Sequence, residues 1–284
     1  MRHSVVMLLL LGTMLVPAVT AEPAMPFRAA VVGEGPAIIF IPGLNSSGAV
    51  WDAVVDGLDD RYTCHVLTLA GFAGEPSIEP PFLPTIRDAV LKYIEDRGLQ
   101  QPVIVGHSLG GVLGLWLGAT APSRVGRIVT IDGVPFLPGL TNSNATPDSV
   151  RSMARGMRDA IVGASDADRA HQTSLTLPML VTNPAGVRIT AEWAAASDPT
   201  TSGDALMEIM TTDLRPQVSQ IVQPVLLIAP DAPAGVAPDR IRRSYEQQFA
   251  PIPDHRIVFV PNTRHFVMLD DPAAVLTAIN AFLK

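Results

Sequence analysis

The chain has 284 residues, 48% of them hydrophobic and 17% charged, which suits one large domain or two small ones and excludes a disordered composition. Its 20 basic and 27 acidic residues give a formal net charge of −7, the opposite of the basic footprint of a nucleic-acid binder, so no nucleic-acid partner is expected. The single cysteine, Cys64, rules out an intramolecular disulfide and a cysteine metal cluster.

At the amino terminus, Arg2 and His3 precede a nearly continuous apolar run, residues 5–16, that ends at Pro17. Val19-Thr20-Ala21 then offers small residues where a signal peptidase reads. This three-part pattern predicts a secretory signal over 1–21, a secreted or periplasmic mature protein, and no stable membrane anchor after cleavage. The run is shorter than the roughly 20 residues a membrane span needs.

Downstream, short apolar runs alternate with helical patterns. Residues 37–41, 64–69, 102–105, 127–131, 225–229 and 256–260 read as strands, with Cys64 as a small apolar core residue in one of them. Residues 83–97, 112–119, 239–249 and 272–284 read as helices. The alternation predicts an α/β fold with a mostly parallel central sheet, flanked by helices on both faces. The runs are continuously apolar, as in strands buried on both sides. Residues 133–220 break the rhythm with no convincing strand. Thr146 is a fitting N-cap with Pro147 at the first helical position, and Val150, Ala154, Met157 and Ile161 share one face of a helix over 147–163. Leu206, Ile209 and Met210 mark a second, short helix, and polar and turn-forming residues fill the connections. The expected organisation is a core of 22–132 and 221–284 with a mostly helical insertion, 133–220, over one end of the sheet.

Within this frame, Val103-Ile104-Val105-Gly106-His107-Ser108-Leu109-Gly110-Gly111 places one hydroxyl between glycines where a strand turns into a helix. Gly106 and Gly110 remove the side chains that would collide with strand and helix. Ser108 is thereby held clear of the sheet at a helix N-terminus, where free N–H groups and the helix dipole favour negative charge. An acyl-transfer nucleophile needs that arrangement. The pattern is G-x-S-x-G, the nucleophile elbow, in its strand–turn–helix context. An ordinary turn with a capping serine is the plain alternative.

These residues resemble the α/β-hydrolase family, over nearly all of the chain outside the signal and the insertion. Ile39-Phe40-Ile41-Pro42-Gly43-Leu44 looks like the family's strand and H-G-x turn, with Pro42 replacing the usual histidine. Leu69-Ala70-Gly71-Phe72-Ala73-Gly74 resembles the family's D-x-x-G-F-G-x-S loop without its leading aspartate, and Thr263-Arg264-His265-Phe266 resembles its histidine loop. The insertion after the 127–131 strand, the sixth in the family's numbering, stands where such enzymes carry a cap. The resemblance implies Ser108 as nucleophile, His265 as general base, and the backbone N–H groups of Leu109 and Leu44 as oxyanion donors, with Asn45 able to add an amide. It implies no metal and no organic cofactor.

The acid of the triad is open. The family's usual G-x-x-D loop would follow the 225–229 strand, but the expected position is Pro233, and Asp231 stands two residues early. Asp132, at the end of the 127–131 strand, is the other candidate, and reach favours it. Asp270 and Asp271 lie close behind His265, but Asp271 before Pro272 reads as an N-cap. His107 is expected to pack behind the elbow, His65 in the core, and His171 and His255 at the surface or in the insertion.

The expected activity is hydrolysis of small carboxylic esters through an acyl-enzyme. A serine at the elbow argues against dehalogenase and epoxide hydrolase chemistry, for which the family uses aspartate. A cofactor-free perhydrolase or acyltransferase is the alternative on the same fold. A non-catalytic ligand-binding member would be marked by loss of Ser, His or the acid, and Ser108 and His265 are both present. Five of the ten methionines, Met153, Met157, Met179, Met207 and Met210, fall in the insertion, where packing is the first expectation and a soft apolar pocket the second.

Overall fold

The computed structural model describes residues 25–231 and 238–284. The predicted signal, 1–21, and Pro233 lie outside the described residues. Along the chain run β1 (Phe27–Val32), β2 (Ala37–Ile41), α1 (Asp52–Val55), β3 (Thr63–Leu69), α2 (Phe82–Asp96), β4 (Val103–His107), α3 (Leu109–Thr120) and β5 (Ile128–Ile131). Four helices follow: α4 (Pro147–Gly163), α5 (Asp166–Leu180), α6 (Pro184–Ala196) and α7 (Pro199–Thr211). Then come β6 (Val225–Pro230), α8 (Pro238–Phe249), β7 (His255–Val260), α9 (Val267–Asp270) and α10 (Pro272–Leu283).

Among the described residues the strands form one seven-stranded sheet in the order β1-β3-β2-β4-β5-β6-β7. All neighbours are parallel except β1 and β3. The apolar runs explain the layering. Successive side chains of a strand point to opposite faces. Ile38 and Phe40 pack with α1 and α10 on one face, while Ile39 and Ile41 pack with α2 and α3 on the other. Farther along that second face, Leu227 and Ala229 of β6 meet Tyr245 and Phe249 of α8. Each fully buried aliphatic side chain contributes about 1.5–3 kcal/mol, so such two-faced strands carry much of the stability.

The order also fixes where a ligand can sit. From β2 the chain steps outward to β3, then returns and adds β4 on β2's other side. Ligands of open α/β sheets bind beyond the carboxyl ends of the strands at such a reversal. The residues just past β2 and β4 are Pro42-Gly43-Leu44 and Ser108.

Two features depart from the sequence reading. β1 is an edge strand buried only at Phe27 and otherwise half-buried or exposed, so it lacks the apolar run that marks the interior strands. Helices α5 and α6 belong to the insertion expected to be mostly helical, but neither was singled out in it. Their apolar pattern is weak: α5 buries only Leu177 and carries Pro178 inside its last turn, and α6 buries only Gly186 and Thr190. Counted along the described chain, the insertion follows the fifth strand.

Candidate active site

Ser108 stands between β4 and α3 with φ 51° and ψ −114°, a region that non-glycine residues avoid. Such strain costs on the order of 1–3 kcal/mol and persists only where the surroundings enforce it. They do so here. The Ser108 N–H donates to Ile131 O at 2.9 Å, and a Cβ on Gly106 would run into the Gly110 carbonyl. Ser108 occupies the N-cap position of α3, yet its side chain makes no cap hydrogen bond. The capping-serine alternative is therefore not what this residue does. The first N–H groups of α3, beginning at Leu109, have no partner within the helix.

The turn after β2 passes against the elbow. A Cβ on Gly43 would sit 3.3 Å from Ser108 Cβ and 2.7 Å from His107 Nδ1. Leu44 follows, and then Asn45 in the left-handed region with φ 55°. Asn45 Oδ1 accepts a hydrogen bond from Ser202 Oγ of α7 at 2.6 Å, so the insertion is fastened directly to this turn.

His265 lies between β7 and α9, and its loop is pinned from several sides. Asp270 accepts from the Arg264 N–H at 2.8 Å and from the Thr182 N–H at 2.8 Å. The Phe266 N–H donates to Leu180 O at 3.1 Å. His107 Nε2 is 3.0 Å from the His265 carbonyl, and the two imidazole rings lie 4.6 Å apart. A carbonyl only accepts, so His107 carries its proton on Nε2. Burial, and then the neighbouring His265, push the His107 pKa well below its ordinary value of 6.5, so it is neutral here. His107 thus packs behind the elbow, as expected, and also holds the His265 backbone.

His265 Nδ1 lies 2.6 Å from Asp132 Oδ2. The Asp132 side chain is 9% exposed and that of His265 25%. Asp132 has φ 48°, and its N–H donates to Ile228 O at 2.9 Å, which continues the parallel ladder one residue past β5. An aspartate accepting from Nδ1–H leaves Nε2 as the basic nitrogen. Tyr245 of α8 donates to the other oxygen, Asp132 Oδ1. Asp231, the alternative acid, is not joined to His265. Arg242 takes its carboxylate, with Nε 2.7 Å from Oδ1.

The remaining histidines are elsewhere. His65 is buried with Nδ1 2.9 Å from Tyr93 Oη, His255 Nδ1 meets Ile252 O at 2.8 Å, and His171 is exposed. Asp271 caps α10 through the Ala274 N–H at 2.9 Å. Of the insertion's methionines only Met210 is buried. Met153, Met157 and Met179 are 52%, 39% and 54% exposed, so packing does not account for them. Sequence reasoning did not single out Tyr245 or Ser202 as parts of this site.

A strained serine and a histidine bonded to a largely buried aspartate, at the carboxyl edge of a parallel sheet, are the groups that can activate a hydroxyl for attack on a carbonyl. The chain is 26% identical over 267 residues to a pimeloyl-[acyl-carrier protein] methyl ester esterase of Nitrosomonas europaea, covering 88% of this chain and 96% of that one. It is 25% identical over 256 residues to an N-formylmaleamate deformylase of Pseudomonas putida, covering 88% and 90%. A bromoperoxidase from Bacillus anthracis superposes with a TM-score of 0.77 at 18% identity, over 90% of this chain and 95% of that one, a likeness of fold. Residues 38–278 match the model of the alpha/beta hydrolase family, and with strand order, elbow and histidine loop in agreement, this chain belongs to that family.

Proposed function

We propose that the protein is a serine hydrolase that cleaves carboxylic esters of small molecules. Ser108 Oγ attacks the ester carbonyl as His265 Nε2 takes its proton. The oxyanion rests on the N–H groups of Leu109 and Leu44. The alcohol leaves with the proton from His265, and an acyl group remains on Ser108. His265 then draws a proton from water, whose oxygen attacks the acyl carbonyl and frees the acid and Ser108. Asp132 holds the Nδ1–H tautomer and stabilises the imidazolium formed in each step. The observation that carries this reading is the strained Ser108, whose hydroxyl caps nothing. The names of the two relatives, an ester esterase and a deformylase, support it.

Ser108→Ala is expected to lower hydrolysis of p-nitrophenyl esters about 10³-fold or more while leaving the fold intact. A serine-directed phosphonate should label Ser108 in the wild type. Labelling at another residue, or a near-normal rate in the variant, sinks the proposal. A panel of increasing acyl length then reads the substrate preference.

Residues 133–220 act in this reading as a cap over the site, fastened through Ser202 to the Asn45 turn. Residues 1–21 act as an export signal, a reading supported by the apolar run and the small residues before Glu22. Native protein should begin at or near Glu22. N-terminal sequencing that finds Met1 rejects export.

A further inference from the structure

Asp132 can do its work only if its carboxylate is held in one orientation. The terminal carboxylate torsion of aspartate is broad and roughly two-fold, so rotamer preference does not hold it. The backbone fixes the Cα through φ 48° and the bond to Ile228 O, and His265 takes Oδ2. Oδ1 remains. The side chain is 9% exposed, so water offers little there. Tyr245 supplies the second anchor: the residue is 1% exposed, and its hydroxyl donates to Oδ1. Burial first, then the charge of Asp132 and the bond to it, push the phenol well above its ordinary pKa of 10.0, so the hydroxyl remains a donor throughout the working range.

One helix face manages both aspartates. Arg242 and Tyr245, three apart on α8, share a side of the helix. Arg242 binds Asp231 past β6 while Tyr245 binds Asp132 past β5. Arg242 lies over the Phe259 ring at 4.5 Å, and Tyr245 packs edge-on against the same ring at 6.1 Å. The ionisable groups that bond to Asp132 are thus Tyr245 and His265, with neutral His107 against His265 and the Arg242–Asp231 pair one turn along α8.

We infer that Tyr245 is a positioning residue for catalysis, the group that orients the Asp132 carboxylate toward His265 Nδ1. This rests on the Ser108–His265–Asp132 reading. Tyr245→Phe keeps the ring and removes one donor. It should lower kcat about tenfold or more, as expected for loss of a hydrogen bond to a charged group, with KM nearly unchanged. The acidic limb of kcat/KM should also move upward. Without the phenol more of the carboxylate's charge bears on His265, and the inactive imidazolium is favoured. Site-specific Tyr245→3-fluorotyrosine keeps the bond and makes a stronger donor, so it should move the limb downward. Arg242→Gln, which removes the ion pair from the same helix, should leave kcat and limb unchanged. A wild-type kcat and limb in Tyr245→Phe overturn the inference. So does a fall in kcat matched by Arg242→Gln with no shift of either limb, because that marks general loosening of α8. A near-normal rate in Asp132→Asn instead overturns the underlying triad.

Discussion

At the scale of single residues, the choice of acid is a matter of reach. Asp132 and Asp231 follow adjacent strands, one residue past β5 and β6. One meets His265, and the other is neutralised by Arg242. Asp132→Asn is therefore expected to lower kcat by orders of magnitude, about 10⁴ in the best-studied comparable triad. Asp231→Asn should leave the rate near wild type, since its ion pair is partly exposed and such pairs contribute little. Steady-state rates of the two purified variants settle the matter, and the reverse ranking moves the acid to β6. Ser108 and His265 are legible in the sequence because their signals are local: glycines flanking one serine after a strand, and a histidine before the last helix. Tyr245 gives no such signal. It is separated from Asp132 by 113 positions and looks like an ordinary aromatic on an amphipathic helix. His107 is 158 positions from the carbonyl it holds. Contacts of that kind arise only when strand order is known.

At the scale of elements, the insertion is joined to the core by directed hydrogen bonds as well as by packing. Glu208 of α7 lies across the N-terminus of α2, where its two oxygens accept from the Phe82 and Leu83 N–H groups, each at 2.7 Å. The helix has no cap of its own, because Pro81 stands at the N-cap position. Burial raises the Glu208 pKa, opposed by the two N–H bonds. Glu208→Ala leaves both donors uncapped and should cost about 1–2 kcal/mol, as removal of an N-cap does. That corresponds to a drop in Tm of roughly 2–4 °C per kcal/mol, read by thermal unfolding. An unchanged midpoint would show that the bonds to α2 add nothing. The helix over Pro147–Gly163 was readable from Thr146 and Pro147, and Thr146 does accept from the Ser149 N–H. Comparable start signals open α5 through α7, where Ser165, Asn183 and Asp198 accept cap hydrogen bonds. In α5 and α6 no clear apolar stripe follows the cap, and in α7 the apolar residues Leu206, Ile209 and Met210 mark only its second half. Part of what α5 and α6 bury is shared with one another and with the histidine loop, which a 3.6-residue period does not report.

At the scale of the whole molecule, the sheet and the insertion together frame the candidate site. Strand order brings Ser108 and the Gly43 turn together at the reversal point. The ladder continues past the strands to carry Asp132, and the insertion grips both the Asn45 turn and the His265 loop. The central strands were plain in the sequence because burial on both faces leaves unbroken apolar runs. β1 was not, because an edge strand with one antiparallel neighbour needs no such run.

The exposed thioethers of Met153, Met157 and Met179 bear on how the protein meets oxidants. Methionine sulfur is readily converted to sulfoxide, and oxidation turns a flexible apolar side chain polar. Brief treatment with dilute peroxide should add oxygen at these three positions before buried Met210 and Met268, as read by peptide mass spectrometry. Protection of the three would show that something shields them. Exposure thus makes the insertion, ahead of the core, the part of the described chain where an oxidant acts first.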